Sequence, residues 1–159
     1  SGVATVLGII DELSEDQLSQ TAFIFFDNEE KGLLGSKAYN KKHKDKLENK
    51  LVINADCVGF GNNLLFIAKN DAVKHEYYEL LKESVLSNND YNVYFYSMKG
   101  SMSNSDYKNF KCGIGLMTCA KKKFVGFYAA RIHTNKDTVA DIKNIEFITE
   151  NLTKFIDKI

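Results

Sequence analysis

Glu29 and Glu30 stand side by side in FDNEEKGLLGSKAY (residues 26–39), directly after the apolar run TAFIFF. Adjacent like charges repel, and a carboxylate near a core costs free energy unless something compensates it. A solvated strand-to-helix turn would compensate them with water. A positive charge in the site, most simply a divalent metal ion, would do so by coordination. Asp56 closes a second apolar run, LVINAD; Asp106 sits in SMSNSDY and His133 in RIHTNKDT. Carboxylates plus imidazole form a ligand set that suits zinc and similar divalent ions, and a carboxylate beside an activated water can act as a general base. Singly, each residue is ordinary. An Asp at a strand end is usually a turn or cap residue, and a lone His is more often structural than a ligand. The combination is less ordinary, because four segments would have to bring such groups to one sheet edge by accident. His43 and His75 lie in Lys- and Glu-rich surroundings and read as surface residues.

The elements that must position these groups follow from periodicity. Val3, Val6, Leu7, Ile10 and Leu13 fall on one helical face, so residues 2–13 read as a helix with Ser1 as N-cap. Residues 14–20 read as linker. The run 21–26 reads as a strand buried on both faces, as in a parallel sheet. Residues 31–43 read as a helix with Leu33, Leu34 and Ala38 inward, and the charged run 41–50 as its solvated end and turn. Strands are expected at 51–57, 63–69, 92–98 and 113–119, and helices at 72–86 and from Ile145 to Ile159. Gly59 and Gly61 mark a turn, and 106–111 a short helix or turn. Strands alternating with helices predict an α/β layered domain. In open α/β sheets ligands collect at the carboxyl ends of strands, which is where most of these acids fall.

The 159 residues, 44% hydrophobic and 26% charged, suffice for one domain with one core. Lys+Arg 21 balances Asp+Glu 21, so net charge makes no case for nucleic acid or an anionic membrane as partner. Arg131 is the single arginine, which argues against an arginine-fork clamp as the main device. Cys57, Cys112 and Cys119 show no CxxC pair and read as reduced thiols, slightly favouring a cytoplasmic setting.

FDNEEKGLLGSKAY resembles the signature of the co-catalytic dinuclear zinc aminopeptidases, a superfamily that includes glutaminyl cyclases and transferrin-receptor protease-like domains. The resemblance continues through SGVA (1–4), INADCVG (53–59), SDYKNF (105–110) and IHTNKDT (132–138), in order and at similar spacing over nearly the whole chain. It implies a three-layer α/β/α domain with a mixed, mostly parallel sheet and a peptide substrate. It implies Glu29 as general base, Glu30 and His133 on one metal, and Asp56 on the other. It implies two zinc ions in a complete domain, with cobalt or manganese also suited to such ligands. Some relatives place a tyrosine immediately before the last histidine; here that position is Ile132, and nearby Tyr128 is not assigned its role. Asp106 matches a Ser-Asp motif and is read as support rather than a ligand.

The resemblance also implies a His-x-Asp segment and a metal-bridging Asp before the SGVA helix, and neither is among these residues. The chain is therefore read as the C-terminal part of such a domain, residues 1–159 lacking its N-terminal helix and first strands. This reading expects weak metal binding at best and no peptidase activity by the chain alone. It also expects a sheet edge near residues 21–26 that pairs with the missing segment or self-associates. Two further readings stay open: a non-catalytic interaction domain of the same fold, and a glutaminyl cyclase-like acyltransferase.

Overall fold

A computed structural model describes residues 1–86, 91–97, 104–129 and 132–159. The helices are α1 (Gly2–Glu12), α2 (Glu15–Gln20), α3 (Leu34–Leu47), α4 (Asn70–Val73), α5 (Tyr78–Leu86) and α6 (Ile142–Ile156). The strands are β1 (Leu51–Ala55), β2 (Asn63–Ala68), β3 (Asn92–Ser97), β4 (Cys112–Lys122) and β5 (Gly126–Tyr128), with a 3-10 turn at Asp106–Asn109. Met98, expected to end β3, lies outside the described residues.

The sheet runs β1-β4-β2-β3, with β5 on the far end of β4. It is mixed: β1/β4 and β2/β3 are parallel, β2/β4 and β4/β5 antiparallel. Alternation along β2 and β4 sends Leu64, Phe66, Cys112, Ile114 and Leu116 into one core, where α1, α5 and α6 meet them through Ile9, Leu81, Val85, Ile148 and Leu152. The α6 stripe follows the sequence periodicity, and Phe147, Ile148, Leu152 and Phe155 are all buried.

The other sheet face is built from an absence of side chains. A Cβ at Gly113 would lie 2.0 Å from the Tyr107 carbonyl oxygen, and one at Gly115 would lie 2.6 Å from the Tyr107 ring. The two glycines, two apart on β4, let the 106–109 turn press its Tyr107 flat against the sheet, where it is fully buried. That contact sets where Ser105 and Asp106 end up.

Several expectations are corrected. The linker 14–20 is largely helix α2, whose start carries reciprocal caps: Ser14 N–H donates to Gln17 Oε1 at 2.8 Å and Gln17 N–H to Ser14 Oγ at 3.4 Å. Ser1 does not cap α1 with its side chain; its Oγ accepts from Val58 N–H at 3.1 Å instead. The helix expected at 31–43 starts at Leu34, because Gly32 and Leu33 take left-handed backbone, and it runs on to Leu47 across a break at His43. Leu34 and Ala38 face outward, while Leu33 and Ser36 are buried. The helix expected at 72–86 is broken between α4 and α5. There the His75 imidazole accepts the Tyr77 N–H at 3.2 Å, and its other ring nitrogen sits 3.1 Å from the Asn49 carbonyl oxygen. β4 extends three residues beyond Cys119, long enough to make the unexpected hairpin with β5.

Residues 21–26 are extended but form no ladder with any described strand, and Phe25 is 51% exposed. A strand exists through its neighbour's hydrogen bonds, not through its own apolar sequence. Phe26 is held instead by aromatic contact with Phe110 and Tyr39, ring centroids 5.8 and 5.7 Å away. β1 likewise has a ladder on one side only among the described residues, so all five of its residues are partly exposed rather than buried.

Phe66 is fully buried and stacks on Phe95 at 4.7 Å. Phe66→Ala should lower unfolding free energy by about 3–5 kcal/mol, read from urea denaturation; a loss under about 1 kcal/mol would show that this face is not tightly packed.

Candidate functional site

The loop carrying the paired acids is held by its own backbone. Gly32 and Leu33 N–H both donate to the Glu29 carbonyl, at 3.0 and 2.8 Å, Leu34 N–H donates to Asn28, and Gly35 N–H to Asp27. Asn28 and Leu33 adopt positive φ (56 and 59), as does Gly32 (95). Gly35 is required for close approach, since a Cβ there would sit 2.4 Å from the Asp27 carbonyl oxygen. The glycine spacing in EEKGLLG is thus the record of a tight reversal between residue 26 and α3. Glu29 ends up partly buried and Glu30 exposed, so the neighbouring carboxylates diverge.

Asp56 follows β1 and is fixed from the side. Ser105 Oγ donates to Asp56 Oδ2 at 2.7 Å and accepts from Asn54 Nδ2 at 2.7 Å. The next residue, Asp106, is buried and accepts from Ser36 Oγ in the first turn of α3, and Asn109 Nδ2 donates to the same hydroxyl at 2.6 Å. The Ser105–Asp106 dipeptide therefore joins the two walls of the site: one residue holds Asp56, the other the helix behind Glu29 and Glu30. Sequence reasoning read Asp106 as support but missed Ser105, Asn54 and Ser36. The signal available was the polar pair itself, placed immediately before a turn that must pack on a glycine-lined strand.

The electrostatics report convergence. Burial first, then the charges of Asp56, Glu30 and Asp106, push the Glu29 carboxyl above its ordinary value, and His133 alone among the named neighbours pulls the other way. Burial and Asp56 push the adjacent Cys57 thiol up to about 12, which makes it a neutral lining group rather than a nucleophile. His133, at positive φ (59) in an exposed turn, brings Nδ1 to 3.6 Å from Glu30 Oε1.

The sequence-named residues thus fall into a joined pair and a neighbour. Glu30 and His133 meet; Glu29 lies within the field of both and of Asp56; Asp56 is bonded to Ser105. Among the described residues no three His, Cys, Asp or Glu side chains group closely enough to hold a metal ion. Two donors on one tetrahedral zinc are spaced about 3.3–3.5 Å apart, so the Glu30–His133 separation suits two ligands of a common ion. The crowded carboxylates supply the electrostatic reason to want one. The donor set fits a cation, but a catalytic zinc normally takes three protein ligands.

The model of peptidase family M28 matches residues 1–155. The chain belongs to peptidase family M28. Peptidases of this family are generally zinc-dependent. The M28 chain is 34% identical over 142 residues to the vacuolar membrane protease of Kluyveromyces lactis, a match covering 87% of this chain and 15% of that protein. It shares its fold with the crystal structure of the LapA aminopeptidase of Legionella pneumophila, at TM-score 0.63 and 16% identity, covering 86% of this chain and 37% of LapA. The chain thus spans well under half the length of either relative.

Beside Asp56 this M28 chain has a cavity of about 300 Å³. Its polar lining includes Asn54, Asp56, Asn104 and Ser105, and Leu65, Ile67, Met117, Phe127, Tyr128 and Ile132 are among the rest. Ile132 immediately precedes His133, so the cavity opens next to the acidic cluster. A broader depression of about 720 Å³ near Tyr91, Asn144 and Phe147 contains none of these residues.

An upward-shifted carboxyl destabilises the fold when ionised, and that penalty fades as pH falls to its ordinary value of 4.5. Glu29→Gln should therefore raise the urea midpoint of the chain at about pH 7 and leave it nearly unchanged at about pH 4. Equal midpoints at neutral pH would show that the site carries no net charge crowding.

Proposed function

We propose that these residues form the catalytic face of a zinc-dependent aminopeptidase that removes N-terminal residues from peptides, with Glu29 as general base. The observation that carries this reading is the placement of Glu29: partly buried among Asp56, Glu30 and Asp106, while Glu30 reaches His133 at 3.6 Å. A base must be close to the reacting water and tuned upward from an ordinary carboxylate, and Glu29 has the environment for both. Membership of a peptidase family and the fold shared with LapA support the reaction class.

Glu30 and His133 would hold one zinc and Asp56 the other, with further ligands from outside the described residues. Bound zinc supplies Lewis acidity and lowers the pKa of water. The chain's own groups do the rest. The Glu29 carboxylate takes a proton from the water that attacks the scissile carbonyl and returns it to the leaving amine. Ser105 and Asn54 fix the Asp56 carboxylate, so that it need not reorganise during the reaction. The cavity beside Asp56 receives the side chain of the residue being released, and its Leu, Ile, Met and Phe lining favours an apolar one. Among the described residues, β1 and residues 21–26 each lack a ladder on at least one side, which supports a further strand, from additional polypeptide or a second copy, as structural partner.

In a polypeptide combining these residues with a complete ligand set, Glu29→Gln should cut kcat on leucyl-p-nitroanilide by about 10²–10⁴ while zinc affinity is retained. Unchanged turnover would remove Glu29 from this role, and turnover of a glutaminyl peptide in place of the anilide would reassign the site to cyclisation. The 159-residue chain by itself should show no pair of tight zinc sites by calorimetric titration; two such sites per chain would overturn the requirement for outside ligands.

A further inference from the structure

The β4–β5 hairpin ends in a feature that neither the core nor the acidic site uses. Its register pairs Ala120 with Tyr128, Lys121 with Phe127 and Lys122 with Gly126, so Lys123, Phe124 and Val125 form the tip. Gly126 takes the positive φ (82) the reversal needs, and a Cβ there would meet nothing within 4 Å, so the tip stands clear of the body. Phe124 is 94% exposed and Val125 68%. A phenylalanine left almost wholly in water at a loop tip gains free energy on any surface that covers it.

The tip is flanked by three consecutive lysines. Lys121 Nζ lies 4.9 Å from the Tyr94 ring and 5.0 Å from the Phe127 ring, Lys122 Nζ 4.9 Å from Tyr128, and Lys123 Nζ 5.7 Å from Phe124. Among the described residues no carboxylate comes within ion-pair distance of any of the three. Their ammonium groups lie over aromatic faces, which hold them at the tip without neutralising them. Tyr94 and Tyr96 stack beside them, with Tyr96 44% exposed.

We propose that this hairpin docks on an anionic lipid surface, Phe124 and Val125 entering the headgroup–acyl boundary while Lys121, Lys122 and Lys123 meet lipid phosphates and carboxylates. The chemistry is paired as such a surface requires: a small apolar wedge, basic groups one residue behind it, and amphipathic tyrosines at headgroup level. An acidic protein partner would use the same lysines. However, it would call for a broad flat contact of roughly 800 Å² per side, and the apolar part here is a two-residue point. The balanced net charge of the chain conceals this site, because the compensating acids lie elsewhere. The proposal does not rest on the peptidase reading.

The chain has no tryptophan, so Phe124→Trp installs a single reporter at the tip. Its emission should shift to the blue on mixed phosphatidylserine–phosphatidylcholine vesicles and be quenched by lipids brominated near the headgroup. The unsubstituted chain should sediment with those vesicles at least about tenfold more tightly than with phosphatidylcholine alone, and less tightly as salt rises. The double variant Phe124→Ser, Val125→Ser, its fold checked by circular dichroism, should lose about tenfold in affinity. Failure to sediment with the anionic vesicles would overturn the proposal. So would an unshifted reporter, or an undiminished double variant that binds polyglutamate equally well, which would assign the lysines to an acidic protein.

Discussion

Negative charge concentrated at one edge of the sheet is the constraint on which the site depends. Glu29 sits partly buried with Asp56, Glu30 and Asp106 around it and one imidazole to oppose them. Burial first, and then these neighbouring charges, raise the cost of ionising Glu29. A fold retains such an arrangement against its own stability, so the scaffold must hold the acids in place. The surrounding hydrogen bonds do this: Ser105 on Asp56, Ser36 on Asp106, and the Gly32 and Leu33 amides on the Glu29 carbonyl.

Close packing makes that scaffold stiff. Gly113 and Gly115 clear one face of β4 for Tyr107, and Gly35 lets the start of α3 approach the Asp27 backbone. None of these glycines touches the acids. Each instead permits an approach that a Cβ would block, and the approaches bring the 106–109 turn, the loop at 29–33 and the end of β1 to one place. Position in the site is thus decided by backbone contacts on its far side, with polar side chains completing the link.

The opposite end of β4 carries a different chemistry. Where the strand leaves the sheet, buried residues give way to Lys121 and Lys122 and to the exposed tip beyond them, while Phe127 and Tyr128 turn back to line the cavity beside Asp56. One strand therefore contributes to the core through Ile114 and Leu116, to the site wall through Met117, and to the molecular surface through its lysines.

Much was legible in the sequence because its physical cause is local. Apolar periodicity marked the existence of α1 and α6, though in α1 it chose the wrong face, since Val3 and Leu7 are exposed while Thr5 and Ile9 are buried. Alternation marked β3, and the spacing of Glu-Glu-x-Gly-Leu-x-Gly-Ser marked a tight acidic turn and the family. The helix over 15–20 was also locally encoded, by Ser14 and Gln17, and was overlooked rather than hidden. Residues 21–26 carry the composition of a buried strand yet pair with no strand among the described residues, since ladder hydrogen bonds come from a neighbour and not from the segment itself. The break at His75, the hold of Ser105 on Asp56 and the meeting of Glu30 with His133 across a separation of about a hundred residues were likewise beyond it. Periodicity reports which way a side chain faces within its own element. Which distant group it then meets is set by how the elements pack, and only the tertiary structure contains that.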